Sequence, residues 1–106
     1  MSYKIIRGTT PTFVLKINDP TVDLTLAENV YASFTQGKSV NLTKTGESLD
    51  IQPHQVAVYL SQEETLKFVE GIIEIQLNWT YNNAARAATR IANIEISKNL
   101  IGRVIQ

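Results

Sequence analysis

Gly71-Ile72-Ile73-Glu74-Ile75-Gln76-Leu77-Asn78-Trp79-Thr80-Tyr81 is the stretch on which the fold reading turns. From Ile73 onward, Ile73, Ile75, Leu77, Trp79 and Tyr81 fall on one side of an extended chain, and Glu74, Gln76, Asn78 and Thr80 on the other. Successive side chains of a strand point to opposite faces, so this is the alternation of a strand buried on one face only. It is the longest apolar stripe in the chain and holds the only Trp. We read it as the central strand of a β-sheet.

Downstream, Asn82-Asn83 is a hairpin-turn signal, because Asn tolerates left-handed backbone. Residues 84–97 are expected to return as one strand. Ala84-Ala85-Arg86-Ala87-Ala88 favours helix by propensity, but Ala92, Ile94 and Ile96 alternate with Asn93 and Glu95, and Ile91 breaks the phase as a bulge would. Small residues opposite Trp79 and Tyr81 also leave room for the rings. The segment 98–106 carries Leu100, Ile101, Val104 and Ile105, too apolar to lie loose in water. It either closes the sheet as a last strand or docks on a partner chain.

Upstream, Ser61-Gln62-Glu63-Glu64 has the spacing of a capping box, and a short helical turn is expected over 62–68 before Gly71 restarts the sheet. Val56, Val58 and Leu60 alternate as a strand, as do Leu49 and Ile51, which Pro53 ends. Val30, Ala32 and Phe34 oppose Tyr31, Ser33 and Thr35, and the chain returns after Gln36-Gly37-Lys38, so 30–44 reads as a hairpin. Val22–Glu28 is ambiguous. Phe13, Leu15 and Ile17 mark another strand before the Asn18-Asp19-Pro20 turn, and Ile5-Ile6 a short opening one. Short strands separated by frequent turns, each with one apolar face, describe an all-β protein: a single immunoglobulin-like antiparallel β-sandwich domain over 1–106. Its expected core is Phe13, Leu15, Phe34, Val56, Val58, Leu60, Leu66, Ile73, Ile75, Leu77, Trp79, Ile94 and Ile96.

Composition narrows the function classes. A hydrophobic fraction of 43% supports a real core, so disorder is not expected. Ten basic and ten acidic residues cancel, and the basic residues form no run, which argues against nucleic acid or an anionic membrane as partner. The absence of Cys removes disulfides, thiolate catalysis and Cys-based zinc sites. No apolar run reaches the ~20 residues that a spanning helix needs, and the first residues lack the apolar core of a secretory signal.

No catalytic, metal or cofactor site stands out. His54 is the only His and follows Pro53 in a turn, without evident acid–base partners. Glu63 and Glu64 suit a helix start, and Asp19 and Asp23 flank a turn. The glycines are single, with no phosphate-binding loop, and Ser33 and Ser61 lack the glycines of a nucleophile elbow. Arg86 and Arg90, four apart in a strand, would share one face, solvated or in contact with an anion or an aromatic ring. The reading is non-enzymatic.

Three segments carry a resemblance. They are Arg7-Gly8-Thr9-Thr10-Pro11-Thr12 followed by the Phe13–Ile17 strand, the Leu60–Phe68 block, and the Ile73–Leu77 strand; the end, Ile94 to Val104, is similar as well. In this order they resemble a group of short structural proteins from phages and prophages of Gram-positive bacteria. More distantly, the layout is similar to the N-terminal β-sandwich of phage baseplate upper proteins. The Asn- and Ala-rich Asn82–Arg90 connection departs from the more polar Asp-Gly type of hairpin in that group. The resemblance implies a virion-associated tail or baseplate protein, made in the host cytoplasm. It would be non-catalytic, need no cofactor, and assemble with itself as a homo-oligomer or with other phage structural proteins. Leu100, Ile101, Val104 and Ile105 are the candidate assembly contacts. The competing expectation is a small carbohydrate- or ligand-binding module that uses Tyr31, Tyr59 or Tyr81.

Overall fold

The computed structural model describes residues 3–82 and 85–106. Its strands are β1 (Tyr3–Ile6), β2 (Thr12–Lys16), β3 (Asn29–Gln36), β4 (Val40–Thr45), β5 (Leu49–Gln52), β6 (Gln55–Tyr59), β7 (Gly71–Thr80), β8 (Arg86–Ala88) and β9 (Ala92–Ser97), with one α-helix, α1 (Gln62–Leu66). The larger sheet runs β1-β9-β7-β3-β4, with β8 also paired to β7; the smaller runs β2-β6-β5. One sheet built from the second, fifth and sixth strands, facing one built from the third, fourth, seventh and last, is the arrangement of an immunoglobulin-like sandwich.

Central β7 behaves as its alternation requires. It pairs with β3 on one edge and with β8 and β9 on the other. Ile73, Ile75, Leu77 and Trp79 are 0–3% exposed. Ala87 lies opposite Trp79 and packs on the core, so the small residue does leave room for the indole. The indole Nε1 donates to the Tyr81 hydroxyl at 3.0 Å, which satisfies its one polar atom. Across the sandwich, the Phe13 ring of β2 meets the Phe34 ring of β3, centroids 5.7 Å apart and tilted by 51°.

The returning segment differs from the single strand expected. Ile75 pairs with Ala92, and Asn78 with Ala88. Gln76 and Leu77 therefore oppose three residues, Thr89, Arg90 and Ile91, which is a bulge with one extra residue. Thr89 fastens it: its N–H donates to Leu77 O at 3.0 Å, its hydroxyl accepts from Leu77 N at 3.1 Å, and its carbonyl accepts from Gln76 Nε2 at 2.8 Å. The phase break at Ile91 is the sequence trace of this bulge. The Asn82-Asn83 turn lies partly outside the described residues.

Other expectations are corrected. The sandwich is not wholly antiparallel, since β1 runs parallel to β9 with Ile5 opposite Ile96. The helix ends at Leu66 rather than 68, and Leu66 is only partly buried while Phe68 is fully buried. A helix this short turns one row inward, and Thr65 and Phe68, three apart, are that row. Leu15 is also only partly buried, because β2 is an edge strand. Val22–Glu28 resolves into a 3₁₀ turn over Leu24–Leu26, capped by the Asp23 side chain, with Leu24 buried. Ile5, Val30, Ala32 and Leu49 complete the core beyond the residues expected. The segment 98–106 forms no strand.

Because Phe34 is wholly buried and contacts the opposite sheet, Phe34→Ala should destabilise the domain by about 3–5 kcal/mol. The urea unfolding midpoint measures this.

Candidate functional site

The segments that carry the sequence resemblance meet in space. Arg7 follows β1, and its guanidinium reaches the end of α1: Nε donates to Phe68 O at 2.6 Å and Nη2 to Leu66 O at 2.8 Å. These carbonyls have no partner within the helix, and an arginine supplies the missing donors. The buried Thr65 hydroxyl donates to Thr9 O at 2.8 Å, and Leu60 N donates to Pro11 O at 3.1 Å. Gly8 adopts φ +85°, and a Cβ there would come within 3.2 Å of Leu66 Cδ2. Both the backbone angle and the close approach call for glycine. Arg7-Gly8-Thr9 is thus the cradle of α1, and its residue types follow from packing.

At its other end, α1 carries the capping box that the sequence foretells. Ser61 Oγ accepts from Glu64 N, and Glu64 Oε1 accepts from Ser61 N. Lys44 reaches Glu64 from β4, with Nζ 2.9 and 2.8 Å from the two carboxylate oxygens. Burial works against ionisation of Glu64. The Lys44 ammonium and the Ser61 N–H outweigh it and hold the carboxyl below its ordinary value of 4.5.

Residues 98–106 lie against this assembly. Asn99 Nδ2 donates to Arg7 O at 2.8 Å. Further on, Ile105 N donates to Gln62 Oε1 at 2.9 Å, and Gln62 Nε2 donates to Ile105 O at 3.0 Å. One side-chain amide thereby imitates a strand partner. Gln36 does the same for Val69, with both bonds at 2.8 Å. The segment is pinned by its backbone while its apolar side chains face outward: Leu100 is 94% exposed, Ile101 48%, Val104 39% and Ile105 51%. Ile6, Val69 and Ile72 are exposed at the same end, where β1 and β9 finish and β7 begins. Seven of the eleven large hydrophobic side chains exposed among the described residues therefore gather at one pole of an elongated molecule, 46 × 27 × 24 Å. Arg7, Gln62 and Asn99, which organise this pole, carry no sequence signal of that role, because their partners are 43 to 92 positions away.

The remaining candidates disperse. Tyr31 lies on the outer face of the larger sheet, in line with Asn78 and Thr45. Tyr59 is on the outer face of the smaller sheet, and the Tyr81 hydroxyl is engaged by Trp79. No two of these three form one aromatic platform. Arg86 and Arg90 do not share a face, because the bulge shifts the phase between them. Arg86 donates to Asn78 Oδ1 on the outer face, while Arg90 lines an inter-sheet cleft with Val14, Leu15 and Leu77. Asp19 is exposed and Asp23 half-buried, and each closes a small turn. Hydrogen bonds from Thr21 and Thr25 lower their pKa values, and the charge of nearby His54 adds to this. Among the described residues, no three His, Cys, Asp or Glu converge as metal ligands. Comparison with known proteins finds no matching family model and no similar curated protein.

Arg7→Ala strips the Leu66 and Phe68 carbonyls of their donors and should cost about 2–3 kcal/mol in urea unfolding. Glu64→Gln gives a pH signature. The folded-state pKa is lowered, so the stabilisation by Glu64 is complete above the unfolded value near 4.5 and is lost as the pH falls through the folded value. The stability gap between wild type and Glu64→Gln is expected to be full at neutral pH and to close in acid. A gap independent of pH would contradict this account.

Proposed function

We propose that the chain is a non-catalytic structural protein of a phage or prophage virion, in the tail or baseplate, acting by protein–protein assembly with copies of itself, with other virion proteins, or with both. The observation that carries this reading is the apolar pole. Leu100, Ile101, Val104 and Ile105 are held outward on a backbone tied to α1 and to the Arg7 turn. Apolar side chains gathered in one region mark a surface that a partner covers. The resemblance of the Arg7–Thr12 and Leu60–Leu77 segments to short phage structural proteins supplies the setting. The dispersed tyrosines favour assembly over sugar recognition, since a sugar platform needs aromatic faces presented together.

Particles purified from the phage or induced prophage that encodes the chain are expected to contain it, detected by mass spectrometry and located on the tail by immunogold labelling. Recovery of the chain only from the unassembled fraction of the lysate would overturn the reading. Deleting residues 99–106 is expected to lower the incorporated fraction. Incorporation equal to wild type would remove the pole from the interface.

A further inference from the structure

The smaller sheet ends in two open strands, β2 and β5, and they are complementary. Ile17 N donates to His54 O and Leu60 N donates to Pro11 O. Hydrogen bonding alternates along an antiparallel ladder, so Phe13 and Leu15 also face β6, and the backbone groups of Thr12, Val14 and Lys16 face the open side. On β5, Asp50 pairs with Ala57 and Gln52 with Gln55 across the hairpin. The backbone of Ile51 therefore faces its own open side. Each edge borders an open cleft. One of about 310 Å³ lies beside β2, with Leu15, Ile75 and Leu77 in its wall. One of about 260 Å³ lies beside Ile51 of β5.

Charge separates these two edges. Lys16 of β2 and Arg90 across its cleft are both cationic, and neither makes an ion pair or a side-chain hydrogen bond among the described residues. Near β5, Glu47 and Asp50 are exposed and equally unpaired. Lys16 and Asp50 also point to the same outer face of the smaller sheet, since Phe13, Val58 and Leu49 point inward in register. The edges of the larger sheet are different. Lys4 of β1 lies 3.9 Å from Glu95, and Lys44 of β4 turns to Glu64. At those two edges the lysine is already engaged by a carboxylate of its own chain and offers no unpaired charge to a second copy.

We propose that β2 of one copy pairs edge to edge with β5 of a second copy, joining their smaller sheets into one, with Lys16 beside Asp50 across the junction and Val14 covered by it. The proposal rests on the assembly reading and names the partner and the geometry of one contact. Because the two surfaces are unlike, the contact repeats from copy to copy and generates a ring or a filament.

Light scattering on a sizing column, over a concentration series of the full chain, tests this. The wild type is expected to gain mass with concentration. Lys16→Glu and Asp50→Lys should each return it to the monomer mass of 11.8 kDa. The double variant K16E/D50K should regain self-association, since the charges are then exchanged. A mixture of the two single variants should also regain mass, because both junctions between unlike copies then pair opposite charges. Val14→Pro removes an outward N–H without breaking the β2–β6 ladder and should also give monomers. Circular dichroism checks that each variant is folded. A wild type monomeric throughout, single variants with undiminished mass, or a folded double variant that stays monomeric each overturns the proposal. A monomeric chain that still enters particles would overturn only the edge pairing and leave the assembly reading in place. A chain that pairs by these edges yet stays out of particles would do the reverse.

Discussion

Register along β7 is the constraint on which the rest of the molecule depends. The strand is paired on both edges, and its inward row packs against both sheets. A slip of one residue would carry Ile73, Ile75, Leu77 and Trp79 to the outer face and bring Glu74, Gln76 and Asn78 into the core. The cost is several buried apolar side chains and several buried polar ones together, so no alternative register competes. The bulge at Thr89–Ile91 follows from this. With β7 fixed, the returning chain absorbs its extra residue itself, and Thr89 replaces the lost ladder bonds with its own side chain and backbone.

Most of the strands were legible because alternation is local. A half-buried strand shows its two faces in its own residues, and the stretches at 13–17, 29–36, 56–60 and 73–81 do so. The capping box was legible for the same reason, since Ser61 and Glu64 satisfy each other within one turn. Contacts across the chain left no trace. Nothing in Tyr3–Ile6 says that it will run parallel to β9, and nothing in Gln62 says that its amide will bind Ile105. Phe68 and Leu66 exchanged places in the core because a helix of one turn leaves its inward row to be set by the cradle beneath it. Arg86 and Arg90 would share a face only in a strand without the bulge, whose extra residue leaves no local mark between them. The apolar character of 98–106 was plain, but its path was not.

The cradle bears on how the sequence resemblance is read. Arg7, Gly8 and Thr9, with Leu60, Thr65 and Phe68, form one structural unit, in which each residue type is explained by a carbonyl, a hydroxyl or a close approach. A likeness that rests on these residues speaks first to a shared way of docking a short helix on a sandwich. It speaks to partners only through the surface that the unit holds in place. That surface hangs on backbone ties at Asn99 and Ile105, so the path of the segment is set by the fold.

The parallel pairing of β1 with β9 has a mechanical consequence. Tyr3 and Ser97 stand at opposite ends of the paired segment, with register running from Tyr3–Ile94 to Ile6–Ser97. Tension applied backward through Tyr3 and forward through Ser97 pulls the two strands along their length in opposite directions. The hydrogen bonds between them are then loaded in shear, all together, rather than opened one at a time from an end. Side-chain contacts at the same seam, Ile5 within the core and Lys4 beside Glu95, share the load. The fold therefore resists stretching along this axis more strongly than peeling at β4 or β5, whose bonds open in sequence.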